Sequence, residues 1–142
     1  MNSTFDLVFA TSGITNYAAL DGTVRHGDLS ALTVAMWIQS DDKQNQGTPL
    51  SYATSNMFNS LTLTDYSGFV VYVENEPFVT DVSVNDGYWH HVTLTFQGRD
   101  DHAVVGSGGG VWKIYVDGQL RVNGTTANAT RVEGQLYIND QQ

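Results

Sequence analysis

His90 and His91 stand side by side behind Tyr88 and Trp89 in the stretch "DGYWHHVTLTFQ". Histidine is the side chain best suited to ligate a metal or to move a proton near neutral pH. The alternation that follows the pair reads as a strand, and neighbours in a strand point to opposite faces. His90 and His91 therefore cannot share one ion from a regular strand. A strand site would use i and i+2, and positions 92 and 93 are Val92 and Thr93. His26 and His102 fall in turn or loop stretches with no paired spacing. Both His90 and His91 read as core or edge residues rather than ligands. Glu74 and Glu76 in "YVENE" are the one acidic pair placed to share a strand face as the opposed carboxylates of a glycosidase. Pro77 follows at once, which ends the strand or sets it at a sheet edge. No nucleophile-elbow motif supports Ser-His-Asp chemistry. The expectation is that the chain is not an enzyme.

Composition narrows the remaining classes. The 142 residues are about the size of one ordinary domain, read as spanning 1–142. Cysteine is absent, which removes disulfides, thiolate metal sites and a Cys nucleophile. Fifteen acidic residues against six basic ones give a formal charge of −9. That balance, with the basic residues scattered, argues against nucleic acid and anionic membrane surfaces as partners. A membrane-spanning helix needs about 18 or more consecutive apolar residues, and no such run exists. The N-terminus lacks a charged start followed by an apolar core, so no signal peptide is expected in this sequence. Three Asn-x-Ser/Thr sequons, at Asn2, Asn123 and Asn128, are candidate glycosylation sites and lean toward an extracellular or cell-surface setting.

These residues must be positioned by strands, because period-2 alternation dominates the chain. "LTVAMWIQS" (32–40) sets Leu32, Val34, Met36 and Ile38 on one face. Ala35 and Trp37 on the other face suggest that it too is partly covered. The pattern opens in "FDLVFA" (5–10) and "NYAALD" (16–21) and continues in "SLTLTDY" (60–66), "FVVYVEN" (69–75) and "VSV" (82–84). It goes on through "HVTLTFQ" (91–97), "VWKIYVD" (111–117), "LRVNG" (120–124) and "QLYIND" (135–140). Asp117-Gly118 predicts a tight two-residue hairpin, since both residues accept positive φ. The stretch around 98–110 reads as a flexible loop. Its glycines, Gly106 to Gly110, open a strand rather than a helix and so do not cradle phosphate. Many short strands with regular turns predict an all-β, antiparallel β-sandwich. Tyr52, Phe58, Tyr66, Phe69, Tyr72 and Trp112 offer a sugar-stacking platform or, more often for such residues, the sandwich core.

The ordered string "LTVAMWIQSDD", "GTPLSYAT", "GYWHHVTLTF", "VWKIYVDGQLRV", "QLYIND" resembles the pentraxin and laminin-G-like branch of the concanavalin A-like jelly rolls. The resemblance covers nearly the whole chain. It implies a jelly-roll sandwich in which the Trp of "WHHV" packs and one His points inward. It implies a disulfide between the strands of Ala35 and Thr93, neither of which is Cys here. It implies a calcium-binding loop, a helix and closing strands after "QLYIND", which this sequence does not contain. A fold shortened in this way is expected to be incomplete, compacted, or completed by another chain. Calcium is the implied cofactor. The residues at the matching positions are Asn59, Asp140 and Gln141, fewer oxygens than the six to eight or so that calcium prefers. Asn59 as a turn cap and Asp140 as a solvated terminus are the alternative. The implied function is an extracellular recognition or adhesion module for glycan or protein, working as an oligomer or beside a neighbouring domain. The alternatives are a self-assembling structural subunit of a filament or matrix and, less favoured, a carbohydrate-active enzyme using Glu74 and Glu76.

Overall fold

A computed structural model describes residues 18–20, 31–41, 47–54, 57–73, 75–98, 110–126 and 134–138. Among these the regular structure is entirely strand. In chain order the strands are β1 (Ala18–Leu20), β2 (Ala31–Gln39), β3 (Leu50–Thr54), β4 (Met57–Thr64) and β5 (Val70–Val73). They continue with β6 (Glu76–Val79), β7 (Trp89–Gly98), β8 (Gly110–Val116), β9 (Gln119–Thr126) and β10 (Gly134–Ile138). They form a six-stranded sheet in the order β1-β10-β3-β4-β5-β6 and a four-stranded sheet in the order β2-β7-β8-β9. Every pairing is antiparallel.

The alternation in the sequence becomes alternation of burial. Along β8, buried and half-buried residues alternate without a break. Val92, Leu94, Phe96, Ile114 and Val116 of one sheet join Leu61, Leu63, Val71 and Val73 of the other in a single core cluster. Each such side chain withdrawn from water contributes roughly 1.5–3 kcal/mol. Two contacts tie β6, at the edge of one sheet, to the other sheet: Phe78 lies 5.4 Å from Trp112 of β8, ring centre to ring centre, and Thr126 Oγ1 of β9 donates to Glu76 Oε2 at 3.1 Å.

The predicted hairpin at Asp117-Gly118 is present, with φ of 53° and 78°. Ala35 and Thr93 are direct cross-strand partners, the register that the implied disulfide requires. Pro77 sits on β6, which is the edge of the six-stranded sheet among the described residues. β10 pairs with both β1 and β3, which brings the two ends of the described chain into one sheet. Two expectations fail. Residues 82–84 form no strand, because their backbone bonds go to a turn: Phe69 N donates to Val82 O and Val84 N to Tyr66 O. Val82 and Val84 are nevertheless buried, so the alternation reported packing rather than a ladder. The outer face of β2 is not covered either, since Trp37 is 64% exposed. Residues 5–10 and 99–109 lie outside the described residues, although Gly98 and Gly110 at the ends of the latter are paired.

Candidate functional site

At one end of the four-stranded sheet, His90 is held between two carboxylates. Its Nδ1 lies 2.8 Å from Asp117 Oδ2 and its Nε2 lies 2.9 Å from Asp86 Oδ1. The side chain is 18% exposed, against 51% and 56% for the two acids. Each acid is locked by the backbone as well. Asp86 Oδ1 accepts from Tyr88 N at 3.0 Å, closing the turn that leads into β7. Asp117 Oδ1 accepts from His91 N at 2.9 Å, and Asp117 N donates to His91 O at 2.8 Å, which extends the β7–β8 pairing into the hairpin turn. The preceding turn is pinned to β2, because Gly87 N donates to Ser40 O and Gln39 Nε2 donates to Gly87 O. One ring therefore links two loops and a strand.

A ring facing acceptors through both nitrogens donates twice only as the imidazolium. The hydrogen bond to Asp117, then that to Asp86, raises the pKa of His90 above its ordinary value. The Asp86 pKa is lowered, first by the Tyr88 N–H and then by His90, and the Asp117 pKa is lowered, first by His90 and then by the His91 N–H. The raised histidine contributes stability that is complete below about pH 6.5 and disappears as pH rises through its folded value. The lowered carboxylates contribute stability that is complete above about pH 3.9 and disappears as pH falls through theirs. The clamp is thus tightest between those limits. The melting temperature of the parent protein is expected to fall more between pH 5.5 and pH 8 than that of His90→Gln. Because acidification also relieves the net negative charge, the difference between the two proteins is the readout. Equal falls would reject a charged clamp.

His91 faces outward and meets Trp37 edge-on, with ring centres 5.2 Å apart and planes at 61°. Trp89 is 56% exposed and Tyr88 72% exposed, so the Trp of "WHHV" does not pack inward as the resemblance implied. His90 does lie on the inner face, in step with Val92 and Leu94. No spacing along the chain groups both Asp86 and Asp117 with it. Asp117 carried a complete explanation as a turn residue, and a contact across 27 positions has no local spacing to betray it.

The remaining candidates are distributed as follows. Tyr52, Tyr66, Phe69 and Trp112 are buried in the core, so the core alternative holds for them, whereas Tyr72 is half-buried on the outer face of its sheet, opposite Thr62. Phe58 is in β4, and its side chain is outside the described residues. Glu76 is exposed on β6, whereas Glu74 is outside the described residues. Asn123 is exposed on β9, and Asn2 and Asn128 are outside the described residues. Asn59 lies in β4 between Met57, paired with Thr54, and Leu61, paired with Tyr52. Ile138, which precedes Asp140 and Gln141, pairs with Leu50 at the other end of β3. Asn59 and Ile138 thus flank β3 on opposite sides, offset along it by roughly 10 Å. Asp140 and Gln141 are outside the described residues. Among the described residues no group of three or more His, Cys, Asp or Glu could hold a metal ion.

Two antiparallel sheets sharing one core define a β-sandwich. Residues 12–142 match the model of the concanavalin A-like lectin/glucanases superfamily, and the chain belongs to that family. It is 44% identical over 125 residues to rat "Sushi, von Willebrand factor type A, EGF and pentraxin domain-containing protein 1", covering 87% of this chain and 3% of that protein. It is 31% identical over 120 residues to human neuronal pentraxin-1, covering 81% of this chain and 26% of that protein. The chain thus spans only a small part of the relatives it matches. No helix among the described residues is long and apolar enough to cross a membrane.

Proposed function

We propose that this sandwich is a non-catalytic recognition module of the extracellular space, binding a glycan or a protein. The observation that carries this is the match to a small segment of much larger relatives, one of them named for its pentraxin domain. The geometry supports this reading, because the acid-flanked ring of His90 is spent on fixing two rim loops. Its partner is a ligand outside the chain, a neighbouring domain or a second copy. Calcium has a subsidiary place: Asn59, Asp140 and Gln141 would supply oxygens to a weak site, with water completing the shell.

Binding to glycan and protein arrays, with and without calcium, tests the proposal. Selective binding in at least one condition is expected, and silence in both overturns it. Calorimetric titration tests calcium separately. Heat at millimolar calcium with a rise in melting temperature is expected, and neither effect removes calcium while leaving the recognition role intact.

A further inference from the structure

We propose that β2 is an assembly edge: two copies of this chain pair through it, antiparallel about a twofold axis at Ala35, and form a closed dimer. This goes beyond the recognition role above and does not depend on it.

The backbone of β2 is engaged on one side. Asp117 N donates to His91 O, so the odd-numbered residues of β7 turn their N–H and C=O groups toward β8. Alternate residues of a strand bond to opposite sides, so the even-numbered residues of β7 turn theirs toward β2. The pairing from Ala31↔Gln97 to Gln39↔Trp89 runs without a register shift. Leu32, Val34, Met36 and Ile38 therefore bond to β7, and Gly87 N donating to Ser40 O continues that row. The N–H and C=O groups of Ala31, Thr33, Ala35, Trp37 and Gln39 point away from the sheet, and β2 has no second neighbour among the described residues. Burial agrees with this. Val92, Leu94 and Phe96 of β7 are at most 2% exposed, whereas Leu32, Val34 and Met36, their partners on the inner face, are half-buried.

The other edges among the described residues are blunted. β1 has three residues. β6 has four, including Glu76 and Pro77, and proline cannot donate to a ladder. β9 carries a bulge at its pairing with Ile114 and Tyr115, the exposed charge of Arg121, and the Asn123 sequon. Short strands, prolines, bulges and charges are the usual devices against pairing with another chain. β2 has none of them: its nine residues, ALTVAMWIQ, contain no charge and no proline.

A second copy is the occupant because the strand complements itself. Antiparallel pairing centred on Ala35 sets Leu32 against Ile38 and Val34 against Met36 on the inner face, so the half-buried apolar side chains of each copy cover those of the other. On the outer face Trp37 meets Thr33, with the small Ala35 beside it. The residues that exchange hydrogen bonds are Ala31 with Gln39, Thr33 with Trp37, and Ala35 with itself, the same residues whose backbone groups are turned outward. Each copy has a formal charge of −9, which opposes association. This register answers it by separation. Asp41 and Asp86 stand at the Gln39 end of β2, and the twofold places that end of one copy beside the Ala31 end of the other. The two Asp41 residues are then roughly 40 Å apart along the ladder, well beyond the screening length of about 8 Å at physiological salt. Pairing one unguarded edge with itself also consumes it, so assembly stops at two.

Sedimentation of the full chain from about 1 µM to 1 mM tests this. A monomer–dimer equilibrium with no larger species is expected. Ala35 is exposed on the outer face, so Ala35→Lys should leave the circular dichroism of the monomer unchanged while setting two like charges together on the axis. It is expected to weaken association at least tenfold. Ala35→Cys is the positive test, because the chain has no other cysteine. A hydrogen-bonded antiparallel pair holds its Cα atoms about 5.5 Å apart, within the span of a disulfide. Oxidation is expected to give a covalent dimer much faster than in Val79→Cys, whose residue is 82% exposed on β6. A chain that stays monomeric throughout would overturn the proposal. So would a dimer indifferent to Ala35→Lys, equal cross-linking of the two cysteine variants, or species that keep growing with concentration. None of these outcomes bears on ligand binding in the arrays, which Ala35→Lys is expected to retain.

Discussion

Phe69→Ala is expected to lower the free energy of unfolding by about 3–5 kcal/mol, a large part of the roughly 5–15 kcal/mol that holds a domain of this size. Phe69 is completely buried. Its carbonyl accepts from Thr80 N at 3.0 Å and from Thr80 Oγ1 at 2.7 Å, and its N–H donates to Val82 O at 2.8 Å. The ring thus fills the core where the segment carrying Val82 and Val84 is fastened to β5. Truncation would leave a void that this doubly anchored backbone cannot close, and incomplete collapse is what makes large-to-small changes costly. Urea unfolding followed by fluorescence and circular dichroism is the measurement. The midpoint should drop with the slope unchanged. A loss below about 1 kcal/mol would show that the surrounding chain relaxes into the space.

Gly124→Ala carries the second large effect, for the opposite reason. A methyl group there would lie 2.4 Å from Trp112 Cζ2 and 2.5 Å from its Cε2. The indole is buried and backed by Phe78, so it has no free volume to retreat into. Overpacking of this kind costs about 1–3 kcal/mol and sometimes more. Gly118→Ala is the control. Gly118 has φ of +78° and nothing within 4 Å of the added carbon, so its cost is backbone strain alone, about 1–2 kcal/mol. Gly124→Ala is expected to be the worse of the two and to change the near-ultraviolet dichroism of the tryptophans, which Gly118→Ala leaves alone. The Asn123 sequon survives the substitution, so glycosylation does not confound the comparison. If Gly118→Ala proved the more damaging, Trp112 must be able to swing aside.

Much of the architecture was readable from local pattern. Asp117-Gly118 has no other economical use than a two-residue turn, and a turn of that length fixes the β8–β9 register up to the bulge at Tyr115. Pro77 could only end a strand or set it at an edge, and β6 is an edge among the described residues. Where the pattern misled, burial and pairing had parted company. Val82 and Val84 alternate because they are packed, but their hydrogen bonds go to residues of a turn. Trp37 looked like a partly covered residue because large aromatics usually are, and no local signal distinguishes a tryptophan displayed from one enclosed. The candidate site was the least readable part. His90 and His91 were rightly placed on opposite faces, but the partners that give each its role, Asp117 of the β8–β9 turn and Trp37 of β2, depend on a register that composition does not encode.

The position of β10 between β1 and β3 has a consequence for synthesis. Strands β3 to β6 follow one another, and each finds its neighbour soon after leaving the ribosome. The pairing of Ala18 with Ile138 has to wait for more than a hundred further residues. At about 5–20 residues per second, that delay is roughly 6–24 s. Through it, β1 lacks its β10 partner and the flank of β3 stays open, a ready template for another nascent chain. Crowded polysomes should therefore be the setting in which this protein misassembles. A chaperone that shields strand edges should raise its yield more than one that accelerates collapse of the core.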